Sequence, residues 1–227
     1  MIQVLAIIIL SYLLGSFPTS IVVGKVVFRK DIRNYGSGNA GGTNAWRVFG
    51  WQTGLFVMLF DVAKGVIATL FISKIPVPVG LQYEAVQLMA GSAAVLGHVW
   101  TIFARFKGGK GVGTAAGMLL ALYPVAILIC IGLFGAMIFL TGYVSVGSLT
   151  GALALPLVLW IMNATGWQTI HPILFYFSIP VVLLIFFTHR SNIKRLLNGT
   201  ENRFHKIWIF SKNEATEAQS TQRNEQT

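Results

Sequence analysis

Hydrophobic residues in this chain come in long uninterrupted runs. Apolar stretches cover residues 2–24, 53–73, 82–104, 144–162 and 172–188, and a further one covers 114–140. Runs of about 18 residues or more predict helices that cross a bilayer, so the chain reads as an all-α, polytopic integral membrane protein. Met1-Ile2-Gln3 lacks the basic start of a signal peptide, and no small-residue cleavage site follows, so the first run reads as a retained span. Residues 1–210 form one membrane-embedded domain in this reading. Residues 211–227 have no apolar face and predict a disordered, polar cytoplasmic tail.

The polar positions between the runs orient them. Lys25, Arg29, Lys30, Arg33 and Arg47 follow the first run, and Arg105, Lys107 and Lys110 follow the third. Arg190, Lys194, Arg195, Arg203, Lys206, Lys212 and Arg223 follow the last. These segments hold all of the 17 lysines and arginines except Lys64 and Lys74, which places them together on the cytoplasmic side. Parity then constrains 114–140. A single crossing there would export the basic tail. Its 27 residues are too few for two ordinary spans of ~20 residues each, and Pro124 disfavours an unbroken helix. The expectation is two short helices broken near Tyr123–Pro124, giving seven transmembrane helices with the N-terminus outside and the C-terminus cytoplasmic. The alternative is one long tilted span and an exported tail.

Composition supports the class: 55% of residues are hydrophobic, 11% are charged and mean hydropathy is +0.70, where a soluble domain carries roughly 25% charged residues. The formal net charge of +10 points, in so apolar a chain, to anionic lipid and anionic substrates rather than nucleic acid. A lone cysteine, Cys130, excludes a disulfide framework and a cysteine-rich metal site.

Two polar loops carry candidate chemistry. Residues 34–47 read Asn-Tyr-Gly-Ser-Gly-Asn-Ala-Gly-Gly-Thr-Asn-Ala-Trp-Arg. Ser37, Asn39 and Asn44 can hydrogen-bond an anion and Arg47 can grip a phosphate with two parallel N–H bonds; a flexible turn would use the same glycines and asparagines. Residues 106–111 read Phe-Lys-Gly-Gly-Lys-Gly. Gly108, Gly109 and Gly111 let successive N–H groups converge on an anion while Lys107 and Lys110 supply charge. This is not a nucleotide P-loop: Ala104 stands where the leading glycine belongs and Gly111 where Ser or Thr belongs.

His98, about two helical turns before the second loop, titrates near neutrality and is a candidate acid, base or donor, or a packed core histidine. His189 and Asn192 share a helical face at the end of the last run, near Arg190 and Arg195, and Glu201 follows. Asp61 and Lys64 at i, i+3 inside the second run form either a functional pair or a structural ion pair. Gly132 and Gly135 suggest close helix packing. The fifth positions after His98, His171, His189 and His205 hold Phe103, Tyr176, Lys194 and Phe210, so the His-x4-Asp pattern of thioester-dependent acyltransferases is missing.

Taken together, 36–47 (Gly-Ser-Gly-Asn-Ala-Gly-Gly-Thr-Asn-Ala-Trp-Arg), Gly97-His98 with Phe103 and 106–112, 143–148 (Tyr-Val-Ser-Val-Gly-Ser), and 189–196 with 199–202 resemble the bacterial acyl-phosphate-dependent glycerol-3-phosphate acyltransferases over nearly the whole chain up to about Arg203. Asp61 and Lys64-Gly65 fit as well. Thr101, where this family usually has proline, and Gly142, where an arginine often stands, depart from the pattern. The resemblance implies transfer of a fatty acyl group from acyl phosphate to the 1-hydroxyl of glycerol 3-phosphate at the cytoplasmic face of a bacterial plasma (inner) membrane. It implies no cofactor and no metal, with an upstream acyl-phosphate-producing enzyme as a candidate partner. His98, Lys107 and Lys110 would be catalytic. Ser37, Asn39, Asn44, Arg47, Gly108, Gly109, Gly111, Ser145, His189, Asn192 and Glu201 would bind substrate. A transporter for an organic anion centred on Asp61 and Lys64, and a lipid-binding scaffold, are the competing readings.

Overall fold

A computed structural model describes residues 1–77 and 80–204; the expected polar tail at 211–227 lies outside the described residues. Ten α-helices follow in order: α1 (Ile2–Ser16), α2 (Thr19–Val27), α3 (Gly42–Phe49), α4 (Trp51–Leu70), α5 (Tyr83–Val99), α6 (Val112–Leu122), α7 (Pro124–Thr141), α8 (Val144–Ala164), α9 (Pro172–Thr188) and α10 (Arg190–Leu197). Large hydrophobic side chains such as Leu59, Leu128 and Leu183 lie exposed along these helices, as expected where lipid is the solvent.

The apolar runs became helices, with breaks that have identifiable causes. The first run is not one helix: it splits at Phe17-Pro18, because Pro18 has no N–H to continue the ladder. At the break the carbonyl of Phe17 accepts from Lys64 Nζ at 2.6 Å and from Thr19 N–H at 3.0 Å. The third run ends as helix at Val99 and finishes in a short 3-10 turn, Ile102–Ala104. Between α6 and α7 the break falls at Tyr123, with Pro124 opening α7, as the sequence predicts. Five helical stretches among the described residues are long and apolar enough to cross a membrane, and α9 with α10, bent by 58°, makes a sixth if the bent pair is one span. The seventh crossing would have to be α6, whose 11 residues reach only about 16 Å.

Hydrogen bonds put both ends of the α6–α7 pair on one side. Lys110, just before α6, reaches Asn192 on α10, and Gly142, just after α7, accepts from Phe204 N at 2.8 Å. The chain therefore returns across 112–141 to the end of the bundle from which it left.

Packing is closest between α1 and α5, α4 and α6, and α7 and α8. A Cβ on Gly15 would collide with the backbone of Ala94, and one on Gly97 with the carbonyl of Tyr12; Gly65 and Gly117 meet the carbonyls of Thr114 and Val62 in the same way. These small residues let helix backbones approach. Gly132 and Gly135 do not: nothing lies within 4 Å of a Cβ at either, so the close packing expected of them falls elsewhere. The main core joins Leu119, Tyr123, Ile127, Leu155, Leu159, Met162 and Val181 from α6 to α9.

Candidate active site

Asn44, in the first turn of α3 and only 1% exposed, organises the first polar loop. Its Nδ2 donates to the carbonyls of Ile32 (3.3 Å), Tyr35 (2.9 Å) and Asn39 (3.0 Å), and its Oδ1 accepts from the N–H of Ser37 at 2.9 Å. Its hydrogen-bonding capacity is spent on the loop, so Asn44 shapes the site by holding Ser37 and Asn39 in place.

The second loop is built differently from the expected nest. Gly108 N–H donates to Val99 O and Gly109 N–H to His98 O, both at 3.1 Å. These amides cap the carbonyl end of α5 and are not available to an anion. The left-handed turn falls on Arg105 (φ 55°) and Phe106 (φ 59°), not on these glycines. Gly108 and Gly109 are needed for closeness: a Cβ on the first would strike His98 O, and on the second His98 Nε2. Amides free to meet an anion lie further on, where Gly111 (φ 83°) opens α6 and Val112 and Gly113 head it with no intrahelical partner.

A cavity of about 330 Å³ gathers these elements. Three helix N-termini face it: Gly41, Gly42 and Thr43 at α3, Lys110 to Gly113 at α6, and Val144 and Ser145 at α8. Unpaired N–H groups and positive dipole ends make each a ready anion site. Ser37, Asn39, Asn44, Arg47, His98, Lys110, Gly111, Ser145, His189, Asn192 and Glu201 all line it. Lys107 does not; it is exposed. Gly108 and Gly109 line a second, much smaller space behind His98, with Asp61 and Lys64.

Side chains at the polar end form one network. Lys110 Nζ donates to Asn192 Oδ1, Asn192 Nδ2 to Glu201 Oε1 at 2.6 Å, Ser145 Oγ to the same oxygen at 3.0 Å, and Arg195 Nε to Glu201 Oε2 at 2.7 Å. Burial lowers the Lys110 ammonium to about 8; Glu201 acts in the opposite sense, and Arg195 and Arg47 push it further down. Arg47 Nη2 donates to Asn202 O at 3.2 Å, while its buried Nε has no partner among the described residues. His189 Nδ1 donates to Ile185 O at 2.8 Å, which leaves Nε2 for a ligand.

His98 lies against a second cluster. Its Nδ1 is 3.5 Å from Asp61 Oδ1, which also accepts from Lys64 Nζ at 2.8 Å and Thr19 Oγ1 at 3.4 Å. Its Nε2 faces Gly109. Thr101, where proline was expected, is buried and donates to Ser16 O. Gly142, where an arginine was expected, is the left-handed cap of α7 (φ 74°).

Sequence reasoning missed Val112, Gly113 and Thr43. The signal for them was Gly-Val-Gly-Thr and Gly-Gly-Thr where a polar loop gives way to a helix, which marks helix N-termini rather than nests. Away from the polar end the cavity is apolar, lined by Leu119, Ile127, Phe134, Leu155 and Val181.

The family model described as glycerol-3-phosphate acyltransferase matches residues 5–199. Among relatives, glycerol-3-phosphate acyltransferases from Chlorobium luteolum and Chlorobium limicola are each 48% identical, over 89% of this chain and 97% of theirs. Among solved structures, the integral membrane glycerol 3-phosphate acyltransferase PlsY (YgiH) in its glycerol 3-phosphate form superposes with a TM-score of 0.75 at 34% identity, over 88% of this chain and 95% of that one. Its lysophosphatidic acid form superposes with a TM-score of 0.74 at 33% identity, over 88% of this chain and 94% of that one. A cationic, helix-headed cavity with an apolar arm inside a membrane bundle fits an acyltransferase with an anionic acceptor, and the chain belongs to the glycerol-3-phosphate acyltransferase family.

Proposed function

We propose that this protein transfers a fatty acyl group from acyl phosphate to the 1-hydroxyl of glycerol 3-phosphate, releasing lysophosphatidate and inorganic phosphate, at the cytoplasmic face of a bacterial plasma membrane. The observation that carries this is the two-ended cavity: Arg47, Lys110 and three helix N-termini at one end, and an apolar arm at the other. Two phosphate-bearing substrates, one with a long chain, need both ends. The basic loops gathered there support a cytoplasmic orientation, and the glycerol 3-phosphate and lysophosphatidic acid forms of PlsY support the acceptor and product.

Transfer is direct. The acceptor oxygen attacks the acyl carbonyl carbon, the carbon–oxygen bond to phosphate breaks, and phosphate leaves with the electron pair. Ser37, Arg47, His189 and Asn192 hold glycerol 3-phosphate. The Lys110 ammonium and the N–H groups that open α6 stabilise the oxyanion and the leaving phosphate. The hydroxyl proton passes to a substrate phosphate, whose second pKa is about 6. With Nδ1 toward Asp61 and Nε2 against Gly109, His98 serves to position the second loop.

Purified protein in nanodiscs, given acyl phosphate and glycerol 3-phosphate, is expected to form lysophosphatidate and phosphate in equal amounts. Product from an acyl thioester but not from acyl phosphate overturns the donor. Accumulation of glycerol 3-phosphate inside vesicles without chemistry overturns the enzyme in favour of a transporter.

A further inference from the structure

Four helices wall the apolar arm, and each stops lining it at a bulky member of one core cluster. Moving away from the polar end, the last lining residue is Leu119 on α6, Ile127 on α7, Leu155 on α8 and Val181 on α9. All four belong to the main core. On α8 the walls above this level are small, Gly151 and Ala152. One and two turns below Leu155, Leu159 and Met162 are buried at 0% and 2% exposure and sit in the same core without bordering the cavity. Leu155 therefore closes a bore that small residues keep open.

We infer that Leu155, with Leu119, Ile127 and Val181, is the floor against which the acyl chain is measured, so that these side chains set which chain lengths the enzyme prefers. This rests on the acyl-transfer reading above. At 1.5 Å per residue, the floor lies about 10 Å along α6 from Val112 and about 15 Å along α8 from Ser145. A chain that fits above it gains the burial of each methylene, roughly a factor of four in binding per group. A longer chain must displace packed side chains or leave sideways past Ile131, which lines the cavity yet is 46% exposed.

The test measures kcat/KM in nanodiscs for a ladder of donors from octanoyl to stearoyl phosphate, with glycerol 3-phosphate saturating. Leu155→Ala is expected to raise the ratio of the longest to the preferred donor about tenfold or more, the value of two methylenes. Ala152→Leu narrows the bore and is expected to lower that ratio by a similar factor while short donors keep their rate. Leu159→Ala, beneath the floor, leaves the ladder unchanged. Should Leu155→Ala fail to fold, Val181→Ala and Ala152→Leu carry the test. An unchanged ladder in the floor and bore variants, or an equal shift in Leu159→Ala, overturns the floor. Wild-type protein that turns over no acyl phosphate overturns the donor reading instead, and the ladder is then run with acyl thioesters.

Discussion

The protein buries charge in two places, and the two are built to different rules. Asp61, Lys64 and His98 sit among α1, α4 and α5, with Lys64 enclosed and Asp61 and His98 at the wall of the cavity. Lys64 Nζ meets Asp61 and the Phe17 carbonyl, and Asp61 also takes Thr19 and His98. One carboxylate answers one permanent cation, and the pair is buried, at 1% and 6% side-chain exposure. At the cavity mouth, three cations (Arg47, Lys110 and Arg195) share the single carboxylate of Glu201, and a guanidinium nitrogen is left unpartnered. A charge-matched buried pair holds a fold together. A cluster with surplus positive charge is waiting for an anion.

The largest effect that would test this contrast is on stability. Lys64→Met leaves Asp61 buried without its cation and takes one of two donors from the Phe17 carbonyl at the α1–α2 break. Breaking one side of a buried pair costs about 3–5 kcal/mol, read as a large fall in Tm of the purified protein. Removing both charges (Asp61→Asn with Lys64→Met) is expected to recover much of that loss. A Lys64→Met protein with wild-type Tm and no turnover would move this cluster into the catalytic machinery and break the contrast.

Next in size is Lys110→Met, which subtracts a charge from the surplus cluster. Loss of one such transition-state donor lowers kcat by roughly 100- to 1000-fold, with Tm near wild type. Because burial brings the Lys110 ammonium down to about 8, wild-type activity is expected to fall about tenfold per pH unit above that value. The residual activity of Lys110→Met lacks this alkaline limb. Stability moves the other way: folding disfavours the charged form, so the burial penalty on Lys110 is relieved as pH rises from about 8 to the ordinary 10.5. An alkaline limb that survives Lys110→Met would assign it to another group.

Most of the architecture was legible because bilayer physics is written in run length and charge sign. The apolar helices, the break at Tyr123 and the kinship of the basic loops 36–47, 106–111 and 189–201 needed only hydropathy, Pro124 and the positions of lysine and arginine. Pro18 carried the same warning as Pro124, but the lysine that makes its break tolerable comes 46 residues later, out of reach of any local pattern. The glycines misled for a related reason. Gly108 and Gly109 look like a nest from composition, yet what demands them is the proximity of His98, a tertiary fact. Asn44 was found, but its partners are loop carbonyls that only the folded turn assembles.

The smallest predicted effect makes the sharpest cut. Lys107 and Lys110 flank the same two glycines and were indistinguishable as catalytic candidates by sequence. In the structure Lys107 is exposed and outside the cavity lining, whereas Lys110 lines it and bonds Asn192. An exposed charge, screened by water and salt, contributes about 0–1 kcal/mol. Lys107→Ala is therefore expected to change kcat/KM for glycerol 3-phosphate by no more than about fivefold, and the change should shrink as ionic strength rises. The Lys110→Met loss should persist at high salt, because a half-buried donor placed against the reacting atoms, as proposed, is poorly screened. If Lys107→Ala instead matches Lys110→Met in size and in salt independence, the loop must close over substrate and bring Lys107 inside, and the division between capping glycines and anion-binding helix N-terminus would have to be redrawn.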